Sequence, residues 1–176
     1  MKSVQNLTMI EDVEGFTPHI SRLVSMMNYA RHTTEEAIAG LTADQLDFQL
    51  DDESNSIGML LQHMVSLEKA FQIMTFEQRE LTDAEWDVLG TAIELGERAR
   101  GEIRGRDLDY YWSEMSLARE YTLQELKKKD DDWLEIVTPY GWDEKANHYF
   151  KWFHVMEDEL NHRGQIRLIR RRITKH

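Results

Sequence analysis

The sequence predicts an all-α protein, a four-helix bundle with a short helical insertion between the second and third long helices. Three observations carry that prediction. Four long segments repeat apolar residues three or four apart, the period of a helix with one buried face. Only two prolines, Pro18 and Pro139, occur in 176 residues, so long helices can run unbroken. No apolar–polar alternation is convincing enough for a sheet. The chain is read as one domain spanning residues 1–176, long enough to bury a core of its own.

The first helix is expected from about Thr17 to Leu41. Thr17 suits the cap and Pro18 the first helical position. Ile20, Leu23, Val24, Met27, Ala30, Ile38 and Leu41 then keep the period, and Gly40 falls where a left-handed residue would stop the helix. Ser54 to Ser56 offer caps for the second, whose stripe is Ile57, Leu60, Leu61, Met64, Leu67 and Phe71, with His63 lying on it. Between 76 and 106 the pattern loosens. Thr82 to Leu95 reads as one or two short helices broken near Gly90 or Gly96, Arg100 to Arg106 reads as a loop, and no chemistry stands out there. Asp107 caps the third long helix, which keeps Leu108, Tyr111, Trp112, Met115, Ala118, Thr122 and Leu126 in period. A connector from Asp130 to Trp142 carries a turn signal at Thr138-Pro139-Tyr140-Gly141, with Trp133, Ile136 and Val137 expected against the bundle. The fourth helix is expected from about Asp143 to Ile173, burying Tyr149, Phe153, Met156, Leu160 and Gly164.

A net charge of −12 disfavours a phosphate backbone as partner. The basic run from Arg167 to Lys175 reads as favourable charge at a helix C-terminus. The absence of cysteine excludes a disulfide framework, cysteine-ligated zinc and a protein thiol nucleophile. With no signal peptide and no membrane-length apolar run, the expected setting is the cytoplasm, without membrane or nucleic acid. No Gly-rich phosphate loop and no nucleophile elbow is present. Trp86, Trp112, Trp133, Trp142 and Trp152 read as packing. His19, His32, His148 and His176 read as exposed polar residues.

One constellation suggests chemistry. His154, Asp158 and His162 follow one another at intervals of four, spreading over about 80° of one helix surface. Residues at i and i+4 can meet at one ion. His154 and His162 are roughly 12 Å apart along the axis, so a straight helix cannot bring both to the same ion. The pair is therefore His154 with Asp158 or Asp158 with His162. A third donor must come from another helix, and His63 on the second stripe is the leading candidate. Three N/O donors with an open position make a catalytic rather than a closed metal site.

The string Ser56-Ile57-Gly58-Met59-Leu60-Leu61-Gln62-His63, followed about a hundred residues later by His162-Arg163-Gly164-Gln165, resembles the DinB-like superfamily of bacterial four-helix-bundle metal proteins. The resemblance extends from Met26-Met27-Asn28-Tyr29-Ala30-Arg31 to the C-terminus. It implies a divalent metal, zinc or nickel, held by His63, Asp158 and His162, with His154 a supporting or pocket residue. The commonest family pattern has two histidines in the last helix. A carboxylate, usually Glu, occurs in the branch similar to mycothiol-dependent maleylpyruvate isomerase. The activity implied is an S-transferase joining a low-molecular-weight thiol, mycothiol or bacillithiol, to a small electrophile for detoxification, and relatives suggest a homodimer. Two other readings stand beside it: a metal-dependent hydrolase with Glu157 or Glu159 as base, and a stress-response bundle that binds metal without turnover.

Overall fold

The structure is a computed structural model that describes residues 7–140 and 144–173. Four long helices form the bundle: α1 (Pro18–Ile38), α3 (Ile57–Gln72), α6 (Leu108–Leu126) and α7 (His148–Ile173). Between them lie the single-turn α2 (Ala43–Leu46) and the insertion helices α4 (Asp83–Glu94) and α5 (Gly96–Glu102). The all-α expectation holds. One small departure is an antiparallel hairpin, β1 (Val137–Pro139) with β2 (Lys145–Asn147), pairing Thr138 with Ala146. Three-residue strands are too short to show alternation, which is why the pattern missed them.

Local chemistry explains most boundaries. Ser56 accepts from the Met59 N–H at 3.2 Å and starts α3. Thr82 and Glu85 form a reciprocal capping box at the head of α4. Asp107 accepts from the Tyr110 N–H at 2.9 Å and starts α6. Past the end of α1, Gly40 adopts the expected left-handed backbone, φ +75°. The cap of α1 is the exception. Thr17 occupies the cap position without capping, and its hydroxyl donates to Asp131, whose carboxylate takes the His19 and Ile20 N–H groups at 3.0 and 3.2 Å. A residue far away in sequence thus closes the helix end.

The core lies along the bundle axis. α1 packs on α7, and α3 packs on both α6 and α7 as well as on α4. Ile38, Leu46, Leu60, Leu61, Tyr111, Met115 and Ile166 fill one end, while Ile20, Leu23, Met27, Phe71, Leu126, Trp133 and Trp152 fill the other. Four expectations need correction. Arg100 to Glu102 belong to α5, and only the residues from Ile103 onward leave the helix. Ile136 and Val137 are exposed, while Trp133 alone of that trio is buried. His148 is wholly buried, its ring tilted against Trp133 with centroids 4.4 Å apart. The buried face of α7 is Lys151, Trp152, Val155, Met156, Glu159, Ile166 and Ile169; Phe153 and Gly164 face solvent. Polar residues sit on that face because each has a partner there: the Lys151 ammonium donates to the Thr138 hydroxyl and the Pro139 carbonyl. The expected helix start at Asp143, the residues Gly141 and Trp142, and Lys175 and His176 at the C-terminus lie outside the described residues.

Candidate metal centre

α3 and α7 run side by side, and their packing brings His63 against Asp158 and His162. His63 Nε2 lies 3.5 Å from Asp158 Oδ2, and His162 Nε2 lies 3.2 Å from Asp158 Oδ1. One donor atom from each residue falls within 4.8 Å of the others. The rings of His63 and His162 meet edge to face, centroids 4.7 Å apart. Nitrogen and oxygen donors around a four-coordinate zinc sit about 3.3 Å apart, given bonds near 2 Å, so the two measured spacings suit such an ion. Asp158 Oδ2 is buried with no hydrogen-bond partner, its nearby donor atom being His63 Nε2 at 3.5 Å. Buried polar atoms left short of a partner are costly, and a cation would satisfy this one-carboxylate, two-imidazole set. The donor set fits a divalent ion.

The orientation of His63 is fixed from behind. Its Nδ1 lies 2.9 Å from the Ala92 carbonyl on α4, so the proton sits on Nδ1 and the Nε2 lone pair faces Asp158. Burial alone would lower the His63 pKa, but the negative Asp158 carboxylate beside the ring favours its charged form, outweighs burial and raises it. Burial would raise the Asp158 carboxyl; the two histidines more than cancel this and hold it well below the usual carboxylate range. The carboxylate is therefore ionised.

His154 lies one turn earlier on α7 and stays outside this cluster. Its Nδ1 pairs with Glu157 Oε2 at 3.0 Å, and its ring stacks parallel to Phe150, with Phe71 and Tyr140 edge-on. Of the two pairs left open by helix geometry, the fold brings Asp158 and His162 to His63.

The bundle interior also holds an ion network that the sequence did not announce. Arg31 on α1, Glu68 on α3, Arg119 on α6 and Glu159 on α7 are all buried. Arg31 Nε donates to Glu159 at 3.0 Å, Arg119 Nε to Glu68 at 2.8 Å, and Arg119 also reaches Glu159 at 3.1 Å. Thr122 adds a 2.7 Å hydrogen bond to Glu68. Each helix supplies one member and the charges cancel. Burial would raise the Glu68 carboxyl, but the two arginines win and hold it low. Glu159 is thereby committed to two guanidiniums, which removes it as a base. Glu157 is occupied by His154 and by the Asn161 amide at 3.0 Å.

Comparison with known proteins decides the family. Residues 22–175 match the mycothiol S-transferase family. The chain belongs to that family. Mycothiol S-transferases are a DinB-like family, as the motifs around His63 and His162 implied. Among solved structures, the chain is similar to a conserved protein from Enterococcus faecalis, with TM-score 0.67 at 14% identity, covering 88% of this chain and 96% of that one. That likeness concerns the fold. No curated protein matches the sequence. As a mycothiol S-transferase family member the chain is expected to handle thiols, and among its described residues no helix is long and apolar enough to cross a membrane.

The insertion holds the residues that sequence reasoning missed. The Ala92 carbonyl orients His63, yet a main-chain oxygen leaves no mark in the sequence. Ile93, Trp86 and Leu81 line a cavity beside the site, although the segment showed no pattern of chemical interest.

Proposed function

We propose that this protein is a divalent-metal-dependent S-transferase that joins a low-molecular-weight thiol, of the mycothiol or bacillithiol type, to a small electrophile. The convergence of His63, Asp158 and His162 in a member of this family carries the reading. A bound divalent ion, zinc or nickel, would supply Lewis acidity that lowers the thiol pKa and presents a thiolate. The chain's own part is to hold three donors in place. Ala92 fixes the His63 ring, and ionised Asp158 offsets the cation's charge. No cysteine competes with the incoming thiol. The hydrolase alternative is less favoured, since Glu159 is tied to two arginines and Glu157 pairs with His154 and Asn161. The same reading gives the protein a cytoplasmic place in a thiol-using bacterium, as a homodimer without nucleic-acid or membrane partners.

The test is elemental analysis of protein purified without a histidine tag, followed by conjugation assays with both thiols. Stoichiometric metal in the wild type, lost in His63→Ala and His162→Ala, is expected together with conjugate formation. A fully metallated protein that conjugates no electrophile with either thiol overturns the transferase reading. Metal that survives both substitutions moves the site elsewhere.

A further inference from the structure

Next to the donor cluster, a cavity of about 490 Å³ opens between α3, α4 and α7. That volume suits a small organic molecule. The same elements hold the donors and wall the cavity. Leu67 is one turn beyond His63, His154 is one turn before Asp158, and Ile93 follows Ala92. The cavity is thus about one helical turn, roughly 6 Å, from the donors. Three of its walls are aromatic: Phe71, Trp86 and Tyr140. The rings of Phe71 and Tyr140 lie within 15° of parallel, centroids 6.2 Å apart. Gly90 helps set the third wall, because a Cβ there would come 3.0 Å from the indole of Trp86. Among the described residues no lysine or arginine lines the cavity, and the one carboxylate there is Glu144.

We infer that the electrophile is a flat, uncharged aromatic compound lodged in this cavity, and that carboxylate-bearing electrophiles are excluded. The inference rests on the S-transferase reading for its chemistry and on the cavity for its selectivity. Burying a carboxylate without a cationic partner is strongly unfavourable, and Glu144 adds repulsion. Flat rings gain from stacking on aromatic walls. For a chloronitroarene, the thiol sulfur bonds the ring carbon, chloride leaves with the electron pair of the broken C–Cl bond, and the thiol proton passes to solvent. His154 closes the cavity on the side of Asp158, with its Nδ1 held by Glu157.

A matched pair of probes tests this: a chlorodinitrobenzene, and the chlorodinitrobenzoate that differs by one carboxylate. With metal-loaded protein and thiol, kcat/KM relative to the uncatalysed rate should favour the neutral ring by about tenfold or more. Equilibrium dialysis against the unreactive pair, dinitrotoluene and the dinitrotoluate anion that adds one ring carboxylate, needs no turnover and should show the same preference. Trp86→Ala, at a half-exposed position, should weaken dinitrotoluene binding several-fold. Leu81→Arg places a cation at the wall and should narrow or reverse the preference. Equal binding of the two dialysis probes, or binding untouched by both variants, overturns the inference. If dialysis shows the preference while no thiol is conjugated, the transferase reading fails and the cavity assignment stands.

Discussion

Gly58 lies inside the motif that first suggested the family, and its role is steric. A Cβ there would stand 2.5 Å from the Tyr111 hydroxyl and 3.4 Å from the Leu46 carbonyl. Tyr111 is wholly buried and cannot swing aside. Gly58→Ala should therefore cost about 1–3 kcal/mol through overpacking, read as a lowered denaturation midpoint with unchanged m-value. The convergence of His63, Asp158 and His162 was legible because candidate metal donors are few residue types at helical spacings. Arg31, Glu68, Arg119 and Glu159 were not. A single charge on a periodic helix looks like a solvated one until its partners on three other helices are known.

At the scale of elements, the four long helices followed from periodicity and caps, and Ser56, Thr82 and Asp107 start helices where side-chain chemistry says they should. The face of α7 did not follow, because Lys151 and Glu159 are buried by pairing that hydropathy cannot register. The junction of the hairpin with α7 makes a pH prediction. Burial first, then the nearby Lys151 charge, push the His148 imidazole down to about 4 from its usual 6.5. Between those values the unfolded chain binds a proton that the folded chain refuses, so stability rises with pH there. The contribution is complete above pH 6.5 and is lost as pH falls toward 4. Urea titrations of His148→Gln across this window should show a shallower pH slope than the wild type. An unchanged slope would remove His148 as the cause.

Across the whole molecule, the buried quartet ties α1, α3, α6 and α7 at a single level of the bundle, with Glu159 next in sequence to Asp158. Such networks are poor sources of net stability but severe when broken, since a stranded guanidinium has nowhere to go. Glu68→Leu should cost about 3–5 kcal/mol, measured by chemical denaturation. It should also loosen the register between α3 and α7 that brings His63 to Asp158. A cost below 1 kcal/mol would mean that water or a side chain rescues Arg119.

The hydrogen bond from His63 Nδ1 to the Ala92 carbonyl makes α4 the back wall of the donor cluster. Residence time then becomes a property of the insertion. On the proposed metal reading, an ion held by His63 would be retained longer while the ring is fixed by the Ala92 carbonyl, and that restraint is released when α4 lifts from α3. Local opening of that kind is governed by the stability of the short helix. Thr82→Ala removes the α4 capping box without touching a donor, at a cost of about 0.5–2 kcal/mol to the helix. Metal stripping by a chelator should accelerate in step with amide exchange in residues 83–94. Metal loss that ignores α4 exchange would separate the insertion from the ion's lifetime.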